Sequence, residues 1–429
     1  MKPESSRERV ILVGAPPHEM PQATVDEHLE ELGRLAVTAG AVVRGVLVQR
    51  LSAPNAGTYI GRGKIEQLRA LMVETDSTLA IFDEELSPAQ GSGLEKAVNA
   101  RVLDRTELIL DIFALRARTA EAKLQVELAQ LEYMRPRLKR MWTHLSRIGG
   151  GIGARGPGEQ QIETDRRLID RRIARLKGLL EQIARSRDTQ RKGRREQFTV
   201  ALVGYTNAGK SSILRALSGS DVFVEDRLFA TLDSATRTCD LGGGLRVLLT
   251  DTVGFIRKLP HHLVASFRAT LEELGEADLL LHVVDASSPG WEEQKEAVDD
   301  VLRSAGAADR PTLLVVNKID RLTHAEEMTL RRRCDALMGS HVYTSVLEPG
   351  GLAPLVDALR AAVRSTLQVV RVTIPAEDGR TLAEAYREGE VLERTFEAGR
   401  VILTARVPAS IAGRWRHTSG VVVERADAA

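Results

Sequence analysis

Cysteine is nearly missing from this chain: Cys239 and Cys334 are the only two in 429 residues, far apart and in no CxxC pair. That excludes a disulfide framework, argues against a structural zinc site and fits a reducing compartment. Excess charge of either sign is missing as well. With 60 Lys and Arg against 59 Asp and Glu the formal net charge is +1, so a contact with nucleic acid has to come from a local basic surface, not from the field of the whole molecule. No apolar run approaches the roughly 18 residues of a membrane span, and the opening "MKPESSRERV" has no apolar signal-peptide core. The expectation is a cytoplasmic protein without a membrane span. What is present, 43% hydrophobic and 28% charged residues, is the composition of a soluble globular chain, and 429 residues exceed a typical single core, so two to four domains are expected.

Three textures follow one another. From Val10 to Glu84 the short apolar strands "VILVG", "AVVRGVLVQ" and "TLAIFDEEL" alternate with amphipathic stretches such as "VDEHLEELGRLAVTAG", the pattern of a small α/β unit. Within it, "TYIGRGKIEQL" sets Gly61 and Gly63 around Arg62, with Lys64 behind them. Glycines beside cations can approach an anion, but the segment is too short to be specific and reads first as a plain turn. Beyond Ser87, apolar residues at three- and four-residue spacing in "LILDIFALRARTAEAKLQVELAQLEYMRPRL" predict one long helix ending near Pro136. A second helix is predicted from about Glu159 to Arg191, and two long helices around an insert read as an antiparallel hairpin.

The insert is "RIGGGIGARGPGE", whose Gly149, Gly150, Gly151, Gly153, Gly156 and Gly158 permit neither a packed core nor a regular helix. It is either a flexible linker or a tip whose amides, with Arg147 and Arg155, meet RNA phosphates and bases. The second helix carries Arg166, Arg167, Arg171, Arg172, Arg175, Lys177, Arg185 and Arg187. Its Glu163, Asp165, Asp170 and Glu181 leave open an ion-paired, solvated face, and the excess of arginine tilts the reading toward nucleic acid.

After the charged linker "RKGRREQ" the third texture begins. Apolar strands at 198–203, 247–250, 278–284, 312–316 and 342–345, mostly with helices between them, predict a doubly wound, mainly parallel sheet with its ligand at the strands' carboxyl ends. At the first such end stands "GYTNAGKSS", the pattern GxxxxGKS in strand-to-helix context. The backbone of Gly204, Tyr205, Thr206, Asn207, Ala208 and Gly209, followed by the N-terminus opening at Lys210, Ser211 and Ser212, points amides at a β-phosphate. Lys210 is expected to span the β- and γ-phosphates and Ser211 to ligate Mg²⁺. "DTVG" supplies Asp251, Thr252, Val253 and Gly254, with Asp251 reaching Mg²⁺ through water and the Gly254 amide meeting the γ-phosphate.

Guanine presents an N1–H and an exocyclic amine as neighbouring donors, and the carboxylate of Asp320 in "VVNKID" can accept both. Asn317 braces that loop and the stem of Lys318 covers the ring. Adenine would leave Asp320 unpaired at a cost of about 1–3 kcal/mol or more, so GTP is expected over ATP. In many GTPases a glutamine after the glycine of this motif orients the attacking water. Here it is Phe255, so intrinsic hydrolysis should be slow and something else must order the transition state. Asn207 sits where some GTPases bind K⁺, an expectation tested by turnover in K⁺ against Na⁺.

At this point the residues resemble a family. "FATLD", "DTVGFIRKLP" and "NKID", with "TYIGRGK", "LDRTELILDIFALRARTAEAKLQVELAQLEY" and above all "GGGIGARGPGEQQIETDRR" upstream, are similar to the HflX-type ribosome-associated GTPases of the translation-factor class. The resemblance implies an N-terminal α/β nucleotide-binding-like subdomain over 1–100 and a long helical hairpin with a glycine-rich loop over 101–196. It further implies a P-loop GTPase domain over 197–366, whereas the tail over 367–429 alternates strand and helix patterns, among them "VVRVTIP" and "GRVILTARV", and reads by itself as a small α+β C-terminal domain. The resemblance implies that the loop, with Arg147, Gly149, Gly150, Gly151, Arg155 and Gly156, contacts rRNA of the large ribosomal subunit near the peptidyl-transferase region. It also implies that the subunit stimulates hydrolysis of GTP, and that the protein splits or rescues stalled or idle ribosomes under heat or antibiotic stress. Phe229, Ala230 and Thr231 then belong to a switch, with Thr231 on Mg²⁺ and Thr236 or Thr238 as alternatives; the catalytic set is Lys210, Thr231 and Gly254. Ser345 and Val346 stand where such proteins support the base, though Val346 and Leu347 depart from the usual "SAK", and Ser234 and Ala235 from the usual "DPTTR". A monomer is expected when free, partly associated with ribosomes in the cytoplasm. A ribosome-binding assembly or hibernation factor, or an RNA remodeller, is the alternative.

Overall fold

The computed structural model describes residues 7–138, 159–192, 197–219, 228, 229, 232, 234–258, 263 and 274–426. The chain divides into two compact units, one of Met1–Arg185, Glu225–Asp233 and Ile256–Ala269, the other of Ser186–Val224, Ser234–Phe255 and Thr270–Ala429. The helical hairpin thus groups with the first sheet, and residues 367–429 group with the nucleotide sheet.

In the first unit β1 (Arg9–Gly14), β2 (Val42–Val48), β3 (Leu79–Phe82) and β4 (Arg101–Asp104) form an all-parallel sheet in the order β2-β1-β3-β4. The sheet therefore runs past residue 100. Parallel strands need covering on both faces, and the continuous apolar runs of β1 and β3 meet that need. On one face Ile11, Val13, Phe82 and Val102 pack with Leu68, Met72 and Leu94 from the helices Arg62–Glu74 and Pro88–Val98.

The predicted single long helix is two. Arg105–Arg116 ends where Ala117 turns extended, and Ala120–Met134 restarts on Thr119, whose side chain accepts from the Ala122 amide as an N-cap. The apolar rhythm continues through the break, so periodicity alone does not reveal it. The helix Glu159–Lys192 matches its predicted span. Several of its charges are engaged: Arg172 with Glu127 (2.7 Å), Lys177 with Glu132 (2.8 Å), Asp170 with Arg135 (2.7 Å), and Arg167 with Glu163 along the helix. The ion-paired reading of this face accordingly accounts for Arg167, Arg172 and Lys177.

In the second unit β5 (Phe198–Gly204), β6 (Ala235–Gly242), β7 (Leu245–Asp251), β8 (Leu279–Asp285), β9 (Thr312–Asn317) and β10 (His341–Thr344) form one sheet ordered β10-β9-β8-β5-β7-β6. All neighbours are parallel except β6 with β7. The strand order reverses beside β5, which places the switch point of a doubly wound sheet at Gly204. A third, antiparallel sheet is formed by β11 (Gln368–Pro375), β12 (Glu390–Glu397), β13 (Arg400–Val407) and β14 (Val422–Arg425) in the order β12-β13-β11-β14. With the helices Gly379–Glu388 and Ala409–Arg416 this is a β-α-β-β-α-β arrangement around Val372, Leu403 and Trp415. Both cysteines are buried and free, and burial pushes the Cys239 thiol up to about 11. Among the described residues no helix is long and apolar enough to cross a membrane.

Candidate nucleotide site

β5 is buried along its length and delivers the chain to a turn before the helix Lys210–Ser218 begins. The turn demands glycine at its end. Gly209 has φ +105°, and a Cβ there would lie 2.2 Å from the Asn317 Nδ2 atom. That close approach ties the loop to β9: Asn317, buried, donates from Nδ2 to the Ala208 carbonyl at 2.9 Å and accepts at Oδ1 from Thr344 at 3.2 Å. Lys210 folds back over the loop, its Nζ donating to the carbonyls of Gly204 (2.9 Å) and Tyr205 (2.8 Å). Burial lowers the Lys210 pKa to about 8, with Asp251 opposing that shift and Lys318 adding to it.

Asp251, fully buried at the end of β7, accepts from the Ser211 hydroxyl at 2.6 Å. A hydroxyl and a carboxylate converging at the mouth of a phosphate loop are hard oxygen donors, which suits Mg²⁺ and not a thiophilic metal. Thr252 anchors the next residue by donating to the Leu202 carbonyl at 2.7 Å. Beyond Val253, Gly254 passes so near the loop that a Cβ would lie 2.9 Å from the Thr206 Cα. Phe255 then forms a parallel bridge with Tyr205: the Thr206 amide donates to its carbonyl at 2.7 Å and its own amide donates to Gly204 at 3.1 Å. The Phe255 side chain is 3% exposed.

At the end of β9, Lys318 takes φ +65° and its Nζ donates to the Asn207 carbonyl (2.6 Å) and to Asp285 Oδ2 (2.7 Å). Asp320 accepts from Ser345 at 2.6 Å, and the same hydroxyl accepts from the amides of Leu347 and Glu348, each at 3.2 Å. Ser345 therefore aims the Asp320 carboxylate, while Val346 is half-buried against the sheet core.

The structure thus brings together Gly204 to Ser212, Asp251 to Gly254, Asn317, Lys318, Asp320, Ser345 and Val346 at neighbouring strand ends. Phe229 is buried in the first unit with its ring edge-on to Phe113, centroids 4.6 Å apart. Thr236 and Thr238 lie on β6, the former in hydrogen-bond contact with Thr250 at 2.9 Å. Ala230, Thr231, Arg147, Gly149, Gly150, Gly151, Arg155 and Gly156 lie outside the described residues. Asp285 and Thr344 were not anticipated; an acid ending an apolar strand in "VVDASS" was the available signal for the first.

Residues 26–114 match the family described as GTP-binding GTPase N-terminal, 116–194 the GTP-binding GTPase middle region, and 199–318 the 50S ribosome-binding GTPase family. GTPase HflX of Magnetococcus marinus is 47% identical over 389 residues, covering 90% of this chain and 89% of that protein. The chain belongs to the HflX family of GTPases. GTPase HflX of Escherichia coli K12 is 43% identical over 386 residues, 89% of this chain and 90% of that one. Among solved structures, the complex of SsGBP and GDP is 25% identical, covers 83% of this chain and 99% of that chain, and superposes with a TM-score of 0.48, too loosely to carry any atomic position across. Membership makes hydrolysis of GTP the reaction of the site just described. The match over 26–114 and 116–194 extends the family likeness to the parts of the chain that hold no phosphate loop.

Proposed function

We propose that the protein binds the large ribosomal subunit in its GTP form, splits or rescues stalled or idle ribosomes, and hydrolyses GTP with the subunit completing the catalytic site. Phe255 carries this reading. The residue after Gly254 has no polar side-chain atom to orient water, and its backbone is committed to the phosphate loop. An outside group has to supply what a glutamine supplies in other GTPases. The description of the family matched by 199–318, 50S ribosome-binding, supports the large subunit as that partner.

In this reading Lys210 would span the β- and γ-phosphates, Ser211, Thr231 and Asp251 would hold Mg²⁺, and Gly254 would offer its amide to the γ-phosphate. Mg²⁺, when bound, neutralises charge developing on the phosphates. Asp320 accepts both guanine donors. Asn207 would hold a K⁺, were one bound beside the phosphates, and that charge would stand in for an arginine finger. The nucleotide-binding-like region 1–100 and the hairpin 101–196, whose Arg147, Gly149, Gly150, Gly151, Arg155 and Gly156 touch rRNA, form the ribosome-facing part. The GTPase domain 197–366 and the appendage 367–429 complete a cytoplasmic monomer. Loss of the γ-phosphate removes the Gly254 contact and lets the segment beyond it relax, which sets release.

The test is sedimentation of intact ribosomes with the full chain and either a non-hydrolysable GTP analogue or GDP. The proposal expects free subunits with the analogue and none with GDP. Binding without splitting in the analogue would favour an assembly or hibernation factor instead.

A further inference from the structure

Lys318 is one residue that the base-recognition reading needs held still, because a lysine stem lying along a purine face works only if its ammonium is fixed at the far end. Four unbranched methylenes fix nothing on their own; an unheld lysine side chain carries about 2 kcal/mol of rotamer freedom. In this structure the ammonium is fixed at two points, the Asn207 carbonyl and Asp285 Oδ2, and both partners of the ion pair are largely withdrawn from water, with side-chain exposures of 15% and 17%.

Asp285 is itself immobilised. Its other oxygen, Oδ1, accepts from the Ser287 amide (3.0 Å) and hydroxyl (2.6 Å), closing a turn directly behind β8. The following amide, Ala286, donates to the Asn317 carbonyl at 2.8 Å, so the ends of β8 and β9 are joined by backbone as well as by side chain. The carboxylate is thereby placed by a rigid strand end, and the lysine is placed by the carboxylate. Charge-assisted bonds in a half-buried setting are the strong kind, whereas an exposed pair of the same length would contribute little.

We propose that Asp285 is a positioning residue for guanine-nucleotide binding, acting through Lys318 to hold its stem along the base while its ammonium closes on the phosphate loop. The proposal rests on the reading of Asp320 and Lys318 as the base site. It adds a third strand end, that of β8, to the two that the sequence motifs mark for this loop.

The test is a double-mutant cycle in the full chain, with GDP affinity measured by calorimetry for Asp285→Asn, Lys318→Ala and the pair. Asp285→Asn keeps the shape and the turn-closing acceptor but removes the charge. It is expected to weaken GDP about tenfold, the scale of one hydrogen bond to a charged group, while the ligand-free variant still unfolds in a single cooperative transition. The pair is expected to bind no more weakly than Lys318→Ala alone, since Asp285 has no other route to the nucleotide. Unchanged affinity in Asp285→Asn, or losses that multiply in the pair, would overturn the proposal. Asp320→Asn is measured alongside with xanthosine diphosphate, whose C2 carbonyl accepts from the new amide. A gain there supports the base-site reading independently of Asp285, and no gain counts against that reading whatever the cycle returns.

Discussion

Lys210 donates to two carbonyls from a position 5% exposed, and burial holds its pKa at about 8 in the free protein. Phosphates give the ammonium a counter-charge, so the complex keeps its proton to higher pH. Nucleotide binding should then take up a proton above about pH 8, and GDP affinity should be flat below that pH and fall above it. Calorimetry in two buffers of different ionisation enthalpy reads the proton directly. The ligand-free fold should respond with the opposite sign. An unfolded lysine titrates near 10.4, so between about pH 8 and that value the unfolded chain binds more protons and stability rises with pH. Affinity that stays level to pH 9.5 would mean Lys210 does not meet the phosphates. Residues of this kind were legible because their chemistry is local: a glycine-bracketed loop, a lysine and a serine within nine positions. Asp285 was not, because its meaning lies in a lysine 33 positions away, and nothing in "VVDASS" names that partner.

At the scale of elements, the strands of the nucleotide sheet were legible to within a few residues because buried parallel strands are continuous apolar runs. β6 was not read. Its Thr236, Arg237, Thr238 and Asp240 are exposed on an edge strand, so the sequence lacks the run that marks its neighbours. The helix break was missed for the converse reason, an apolar rhythm that outlives the helix; Thr119 three residues before Ala122 was the sign to look for.

The end of β3 yields a prediction at this scale. Asp83 lies beside fully buried Arg105, which also pairs with Glu31, and further contacts come from Lys258 (3.0 Å) and Arg257 (3.4 Å) within the same unit. Burial would push the Asp83 carboxyl up, but Arg105, then Lys258 and Arg257, hold it well below the usual carboxylate range. A depressed acid stabilises the fold above its unfolded pKa of about 3.9 and loses that contribution as pH falls below it. Asp83→Asn should cost about 3 kcal/mol near neutrality, as expected for breaking a buried pair, and the gap between variant and parent should narrow below pH 4. Denaturant titrations at pH 7 and pH 3 measure both; equal gaps at the two pH values would refute the assignment.

Over the whole molecule, the tail was legible as alternating strand and helix, and its placement was not. It docks within the second unit: Arg364 on the helix Ala353–Thr366 donates to Glu390 at 2.9 Å, Arg406 donates to the same carboxylate at 3.1 Å, and Gly244 in the β6–β7 turn sits against the Gly389 carbonyl. Such long-range contacts have no local signature in the chain. The same holds for the missing water-orienting group, which the sequence marks only as a phenylalanine where a polar side chain was wanted. The claim that a ribosomal surface completes the site is tested most directly by single-turnover phosphate release from GTP, with and without purified large subunits. The account predicts slow release alone and a large acceleration with subunits that Lys210→Ala abolishes; release at the same rate with and without subunits would contradict it.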